Sequence, residues 1–237
     1  MSKKFSVLIK KKIKKFNQTV MVESDKSISH RALLISSQCI GKSVLNGVLE
    51  SDDVENTIAC LKNLGVKIIK NKKKYIVYGN GFSSFKNINN KKLYAGNSGT
   101  LARMLIALIG TQPNLKINIR GDNSLNKRDM SRIIIPLTKI GCNFYPKGKI
   151  TLPLTVEGTD MPLAQHHVES IGSAQVKSAI LLASLNTPGI TTIKELKMSR
   201  DHTENILSAI NADIKIKKNK KNNLITLKGQ KNLNNFN

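Results

Sequence analysis

The sequence predicts an α/β protein assembled from three copies of one module. A glycine- or serine-rich opening followed by an apolar helical run occurs three times, beginning at Asp25, Gly96 and Gly172. These starting points are 71 and 76 residues apart, a period longer than that of the common solenoid repeats. Each copy is therefore expected to be a complete α/β unit with helices and strands of its own.

The second part of each copy repeats as well. A further helical pattern begins near Asp53, Asp129 and Asp201, and about twelve residues later the pattern changes to that of a strand. Predicted strands lie at 66–69, 142–145 and 214–216, and others at 75–78, 116–119 and 224–227. Pro136 interrupts the middle of the three helices, which is expected to bend or restart there. The predicted fold class is thus mixed α/β (α+β), with the order βαβαββ repeated three times.

These repeats predict the domain boundaries. Residues 21–228 form one domain of three repeats, at about 21–90, 91–158 and 159–228. Residues 1–20 and 229–237 are rich in Lys and Asn and have no counterpart in the repeat. We expect these two end segments to connect to structure outside the domain.

The charge balance is strongly basic. The 237 residues include 39 Lys and Arg against 15 Asp and Glu, a net charge of +24, which raises the question of nucleic acid or an anionic membrane as a partner. Only six of the cations are Arg, aromatic residues make up 4% and Trp is absent. Because stacking on bases needs aromatic side chains, nucleic-acid binding is the weaker alternative.

The three cysteines lack the spacing of metal ligands. Cys39, Cys60 and Cys142 lie in apolar helical or strand contexts without a CxxC or Cys/His pattern. They are predicted to be reduced core residues, and no metal is expected. No apolar run approaches the ~20 residues of a membrane span, and residues 1–15 do not resemble a signal or transit peptide. We expect a cytoplasmic protein that does not engage a membrane.

The start of the first helix is predicted to bind an anion. Residues 25–31 (DKSISHR) place Lys26, Arg31 and two hydroxyls where a helix would expose unpaired N–H groups and its positive dipole end. The simpler alternative is an ordinary helix cap with solvated cations. If the three modules pack around an axis, the helix starts near Lys26, Gly99 and Ser173 share one face, where a multiply charged anion would be held.

Five segments together resemble one enzyme family. They are 25–31 (DKSISHR), 93–100 (LYAGNSGT), 121–128 (GDNSLNKR), 173–179 (SAQVKSA) and 199–204 (SRDHTE). Their order and spacing are similar to those of the 5-enolpyruvylshikimate-3-phosphate (EPSP) synthase family. The resemblance covers roughly residues 20–216. It implies one domain of the two-domain enolpyruvyl transferase fold, an inside-out α/β barrel with three βαβαββ units in each domain.

The resemblance also implies a reaction. The family transfers the enolpyruvyl group of phosphoenolpyruvate to the 5-hydroxyl of shikimate 3-phosphate, through a tetrahedral intermediate that eliminates phosphate. The product leads to chorismate and the aromatic amino acids. No metal or organic cofactor is implied, so the chemistry depends on general acids and bases and on electrostatic stabilisation by side chains.

Site residues are implied by the matched motifs. Lys26 contacts both substrates and is the candidate catalytic group. The implied shikimate 3-phosphate site comprises Lys26, Ser27, Arg31, Ser173, Ala174, Gln175 and Arg200. The implied phosphoenolpyruvate site comprises Lys26, Asn97, Gly99, Arg128 and Gln175. Outside these sites, the sequence analysis interprets His30 as structural, Lys177 and Ser178 as polar helix positions, and His166 and His167 as loop residues.

The motifs differ from the family pattern at two places and carry one further implication. Gly99 implies room for the inhibitor glyphosate, which family members with Ala at this position exclude. Asp129 follows Arg128 where proline is usual, so its carboxylate either lowers ligand affinity or caps the next helix. Glu23 and Ser24 replace a common Pro-Gly pair, which leaves the geometry of that turn open.

Family members continue for roughly as long again, with a second domain that carries the catalytic aspartate and glutamate. By resemblance, residues 1–20 associate with that domain and residues 229–237 are a truncated interdomain crossing. The chain alone is expected to be inactive, and to be a monomer when complete or to work with a separately encoded second domain. The alternative function is a module that binds shikimate 3-phosphate without turnover.

Overall fold

The computed structural model describes residues 6–8, 10, 12, 15, 17, 19–72, 74–87, 92–219 and 222–236. The helices of this part are α1 (Lys26–Ser36), α2 (Asp52–Asn63), α3 (Gly99–Gly110), α4 (Ser131–Ile140), α5 (Ala174–Leu185) and α6 (His202–Ala209), with a 3-10 turn at Leu125–Lys127. The strands are β1 (Ile40–Asn46), β2 (Lys67–Asn71), β3 (Lys74–Asn80), β4 (Lys92–Tyr94), β5 (Lys116–Arg120), β6 (Asn143–Tyr145), β7 (Leu154–Glu157), β8 (His166–Glu169), β9 (Ile190–Glu195), β10 (Asp213–Lys218) and β11 (Asn223–Lys228).

The strands form three sheets, each from one third of the chain. Their orders are β1-β3-β2, β4-β5-β7-β6 and β8-β9-β11-β10. The second and third sheets match closely, because each begins with a parallel pair, with Leu93 opposite Ile119 in one and His167 opposite Ile193 in the other. Every other pairing is antiparallel among the described strands. The mixed α/β class predicted from the sequence is confirmed.

The first sheet has three strands where the others have four. Residues 19–25, which precede α1, have no regular structure, and Met21 is 92% exposed. The outer edge of β1 instead meets the C-terminal segment, where the Val44 N–H donates to the Phe236 carbonyl at 2.8 Å. Ser24 and Phe236 both line a groove of about 460 Å³ beside β1. The N- and C-terminal parts of the domain therefore meet at one sheet edge.

The centre of the molecule is a helical layer. Helices α3 and α5 pack against each other, and each is buried on all sides with one exception. The exceptions are Arg103 in α3 and Gln175 in α5. Helices that are buried on almost all sides belong in a core, so α3 and α5 form the centre of the helical layer.

The structure bears on two sequence predictions, a break in α4 at Pro136 and buried, reduced cysteines. Helix α4 continues through Pro136 as one helix and does not restart. Cys39, Cys60 and Cys142 are free and buried, and burial raises the pKa of each thiol to about 12. The prediction of reduced core cysteines is confirmed.

Within the described residues, no helix combines the length and the apolar character needed to cross a membrane.

Candidate anion-binding site

Three helices begin with the same device, a side chain that caps the first turn. Asp25, Ser98 and Ser173 each accept a hydrogen bond from the backbone N–H three residues later, at 2.8, 3.1 and 3.3 Å. These caps begin α1, α3 and α5. Since each cap satisfies one of the free N–H groups of the first turn, the others and the positive dipole end stay available to a ligand.

Hydrogen bonds between the helices bring these three N-termini together. His30 Nε2 lies 3.0 Å from Ser98 Oγ, which joins α1 to the start of α3. Gln175 Nε2 donates to Thr100 Oγ1 at 3.0 Å, which joins the starts of α5 and α3. The sequence prediction that the three helix starts share one face agrees with these contacts.

Arg31 is almost completely buried, with 2% of its surface exposed. The sequence pattern suggests a more exposed arginine. Its Nε donates to Thr203 Oγ1 at 2.8 Å, its Nη2 to Ser178 Oγ at 3.1 Å and its Nη1 to the Ser27 carbonyl at 3.0 Å. Burial and, next, the charge of nearby Arg200 lower the pKa of Arg31 to about 10. Two of its five N–H donors make no hydrogen bond within the part of the chain that the structure describes.

Lys26 is half-exposed and is paired with a carboxylate that the sequence analysis did not assign to the site. Its Nζ lies 2.8 Å from Asp53 Oδ2, and the two side chains are 52% and 18% exposed. Asp53 belongs to the first turn of α2. The adjacent acids Asp52 and Asp53 could have indicated a carboxylate near Lys26. Acidic residues are, however, also common at helix starts because they interact favourably with the helix dipole.

Arg128 is exposed, and its Nη2 donates to Asn97 Oδ1. The carboxylate of Asp129 accepts from the Ser131 backbone N–H at 2.6 Å and from Ser131 Oγ at 2.8 Å. These two bonds hold the pKa of Asp129 below its usual range. These bonds tie Asp129 to Ser131, the first residue of α4, whereas the N-cap position is Met130, which makes no side-chain cap bond.

Arg103 is a second side chain missing from the sequence prediction. Its Nη1 donates to Gln175 Oε1 at 2.8 Å, and its Nη2 to the Asp129 carbonyl at 3.2 Å. Burial lowers the pKa of Arg103, and the neighbouring cations Arg128 and Arg132 lower it further. Arg103 is the one charged residue of the otherwise apolar helix α3, and this exception could have marked it as a candidate site residue.

The exposed residue Arg200 lies beside a fully buried ionic cluster. Lys177 Nζ lies 2.9 Å from Glu195 and 2.6 Å from Glu204. Glu195 also accepts from the backbone N–H and the hydroxyl of Ser199, at 2.8 and 2.6 Å. Lys177 is a polar position of α5, as interpreted from the sequence, and it is 0% exposed, with its two carboxylate partners on either side of the segment that carries Arg200.

The histidines outside the motifs take no part in this face. His166 and His167 form the start of β8, so the expected loop location is wrong. His166 contacts Thr192 on the neighbouring strand. Among the residues that the structure describes, no group of three or more His, Cys, Asp and Glu side chains is arranged to hold a metal ion.

Three α/β units that direct their first helices to one cationic face define a domain of the enolpyruvyl transferase fold. The solved structure of EPSP synthase from Acinetobacter baumannii is similar, with a TM-score of 0.83 and 33% identity over 92% of this chain and 48% of that one. The profile of the family described as EPSP synthase (3-phosphoshikimate 1-carboxyvinyltransferase) matches residues 10–237. The chain belongs to the EPSP synthase family, as the motif resemblance predicted.

Curated relatives agree with this assignment. The 3-phosphoshikimate 1-carboxyvinyltransferase of Bartonella quintana (strain Toulouse) is 42% identical over 198 residues, which cover 84% of this chain and 44% of the relative. The protein of the same name from Zymomonas mobilis is 38% identical over 227 residues, 95% of this chain and 50% of the relative. The chain thus spans about half the length of these relatives.

Proposed function

We propose that this chain supplies one half of the active site that transfers the enolpyruvyl group of phosphoenolpyruvate to the 5-hydroxyl of shikimate 3-phosphate. The observation that carries the proposal is the meeting of three capped helix N-termini on a face that also holds Lys26, Arg128 and Arg200. Both substrates are phosphorylated carboxylic acids, so this face offers the charge that they need.

The shikimate 3-phosphate site is proposed at the start of α5. Ser173, Ala174 and Gln175 offer a hydroxyl, backbone N–H groups and an amide to a phosphate, and Arg200 adds a planar cation. Arg31 and Ser27 complete the site from α1. Because most donors of Arg31 bond to protein groups, we assign it the smaller task of one or two ligand contacts and of holding Ser27 in place.

The phosphoenolpyruvate site is proposed at the start of α3. Here Asn97, Gly99 and Arg128 face the ligand, and Gln175 reaches across from α5. Lys26 lies between the two sites as a mobile point charge, suited to stabilise the negative charge that develops when the substrates react. Its pairing with Asp53 at 2.8 Å gives the ammonium a partner with which to exchange a proton.

The half site is open to water in this chain. Lys26, Arg128 and Arg200 are all exposed, and exposed charges act through a high dielectric that weakens their effect on a transition state. A second domain that covers the face would exclude water and add the missing acid and base. We therefore expect this chain alone to bind shikimate 3-phosphate and not to turn it over.

Calorimetric titration with shikimate 3-phosphate tests the binding half of the proposal. We expect Arg200→Gln and Ser173→Ala each to weaken binding by about tenfold, since each removes a hydrogen bond to an ionised group. Arg132→Gln is the matched control, because Arg132 is exposed and lies outside the proposed contacts. An unchanged dissociation constant in both site variants would contradict the assignment, and so would the absence of binding to the unaltered chain.

The transfer half needs the remainder of the enzyme. A polypeptide that covers the other half of the Zymomonas mobilis relative can be mixed with this chain, shikimate 3-phosphate and phosphoenolpyruvate. The release of phosphate is then measured. Release that depends on both polypeptides supports the proposal. If shikimate 3-phosphate binds but the mixture, shown to associate, releases no phosphate, the alternative of a binding module without turnover replaces it.

A further inference from the structure

Arg103 and Gln175 are the two residues of the central helices α3 and α5 that are not fully buried. Every other residue of α3 and α5 is buried, and these two side chains meet each other at 2.8 Å. Both stand in the first or second turn of their helix, at the face proposed to bind substrates. Their contact joins two anion-binding helix starts directly.

Arg103 reaches back over the start of its own helix. It follows Gly99 by one helical turn, and helical side chains lean toward the N-terminus. Its guanidinium bonds to Gln175 of α5, to the Asp129 carbonyl before α4 at 3.2 Å and to the Gly99 carbonyl at 3.4 Å. One side chain therefore ties together three separate segments of the site.

The amide of Gln175 is held at both ends. Its oxygen accepts from Arg103, and its nitrogen donates to Thr100 Oγ1 at 3.0 Å. If the amide turned over, its NH2 group would face the guanidinium, which has only donors. Arg103 thus selects the orientation of Gln175 and leaves one amide N–H for a ligand.

Arg103 also fills the space that a side chain at position 99 would occupy. A Cβ built on Gly99 would lie 2.5 Å from Arg103 Nη1 and 3.4 Å from Arg128 Nη1. Gly99 is the first residue of α3 and its φ is not in the left-handed region, so the backbone itself accepts alanine. A methyl group there must displace the guanidinium, which disrupts its hydrogen bond to Gln175.

We propose that Arg103 is a positioning residue that orients Gln175 for ligand binding, and that a side chain at position 99 acts on the site through Arg103. The first part rests on the proposed function for the identity of the ligand. The resemblance attributes the effect of Ala at this position to lost room for an inhibitor. In this chain the room beside Gly99 is already taken by Arg103, so the methyl group alters α5 as well as α3.

The side-chain amide signal of Gln175 tests the coupling without any ligand. In the 15N-labelled chain this signal is identified by its loss in Gln175→Glu. We expect Gly99→Ala and Arg103→Lys to shift or broaden it, while the matched control Arg132→Lys leaves it unchanged. An unshifted Gln175 signal in folded Gly99→Ala protein would overturn the proposal. Arg103→Gln replaces Arg103→Lys if circular dichroism shows that the latter does not fold.

A double-mutant cycle tests the effect on binding. We expect Gly99→Ala and Arg103→Lys each to weaken shikimate 3-phosphate binding about tenfold, and the double variant to be no weaker than about tenfold, because both disturb the same bond. A loss of about a hundredfold in the double variant means independent effects and overturns the proposal. If the unaltered chain does not bind shikimate 3-phosphate, the proposed function fails, while the Gln175 signal still decides the coupling.

Discussion

His30 shows how much one buried side chain organises at the residue scale. It is 0% exposed, with Nδ1 2.6 Å from Thr57 Oγ1 and Nε2 3.0 Å from Ser98 Oγ. Thr57 donates its own proton to the Asp53 carbonyl, so a neutral ring protonated at Nδ1 satisfies every partner. The sequence interpretation of a structural residue fits this environment, and the histidine holds the cap of α3 against α1.

This environment predicts a pH dependence of stability. Burial lowers the pKa of His30 from 6.5 to about 4, with the Asp53 carboxylate opposing the shift and Lys26 adding to it. The unfolded chain therefore takes up the proton first as the pH falls. The stabilisation is complete above the unfolded pKa of 6.5 and is lost as the pH falls toward 4, by about 2 kcal/mol between about pH 7 and about pH 5.

Urea unfolding at these two pH values measures the effect. His30→Gln should lose most of the difference in unfolding free energy between them, because no imidazole is left to titrate. His166→Gln, on an exposed strand position, should retain it. Equal pH dependence in His30→Gln and the unaltered chain would refute the assignment.

Asp129 gives a second prediction at this scale. Its carboxylate accepts from the backbone N–H and the hydroxyl of Ser131 at the start of α4, so Asp129→Ala should lower the unfolding free energy by about 1 kcal/mol, as the loss of a hydrogen bond does. Asp129→Asn keeps an acceptor and should cost less. Thermal or urea unfolding separates these variants. A tighter affinity for shikimate 3-phosphate or phosphoenolpyruvate in Asp129→Asn would instead favour the view that the carboxylate repels the ligand.

Helix caps at the proposed site were predictable, because a local pattern carries their chemistry. Ser98 and Ser173 have the side chain of a helix cap in the position of a helix cap, and nothing distant is needed to recognise them. Arg103 was not predicted, because its partner Gln175 lies 72 residues away in the sequence. A contact of that separation depends on how α3 packs against α5, which the sequence pattern does not specify.

At the scale of elements, the buried Lys177 joins α5, β9 and α6. Two carboxylates share its ammonium, and burial opposes the ionisation of Glu195, yet bonds from Ser199, Lys177 and Asn223 outweigh this and lower its pKa. Such a cluster stabilises little compared with apolar packing, but its geometry is hard to exchange for another. It fixes the start of α6 relative to α5.

Removing the cation tests this coupling. Lys177→Met should destabilise the fold by about 3–5 kcal/mol, because it leaves two buried carboxylates without their cation. The double variant Lys177→Met, Glu204→Gln removes one of those charges and should be more stable than Lys177→Met alone. Urea unfolding of the two variants makes the comparison. If Glu204→Gln brings no recovery in the Lys177→Met background, the two residues are not energetically coupled.

The elements themselves were largely predictable, with informative exceptions. The strands at β3, β5 and β11 follow short runs of β-branched and aromatic residues, and the first helices follow their caps. The missing fourth strand of the first sheet was not predicted, since residues 19–25 carry no signal that they would stay out of the sheet. The continuity of α4 through Pro136 depends on packing that fixes the helix despite the lost hydrogen bond.

At the scale of the whole molecule, the distribution of arginine is informative. Of the 39 cations six are Arg, and four of these, at positions 31, 103, 128 and 200, belong to the proposed site or contact it. The remaining cations are Arg120, Arg132 and the lysines. The guanidinium offers a planar fork to phosphate and carboxylate, which suits arginine to the proposed site.

This concentration of charge predicts stabilisation by anions. Inorganic phosphate should raise the melting temperature more than sodium chloride at equal ionic strength, because an anion that binds only the folded chain stabilises it by mass action. Arg200→Gln should reduce the difference, and Arg132→Gln should not. Identical melting temperatures in the two salts would show that the face does not select phosphate.

The two ends of the domain meet beside β1, so the order in which its elements follow one another along the chain can be changed without changing the fold. Ser24 and Phe236 line one groove, so a short linker can join these positions. New ends can then be opened at Gly148, between β6 and β7, where an added Cβ would contact nothing within 4 Å. Such a circular permutant should keep the three sheets and the cationic face, because no described contact of the core depends on where the polypeptide is cut.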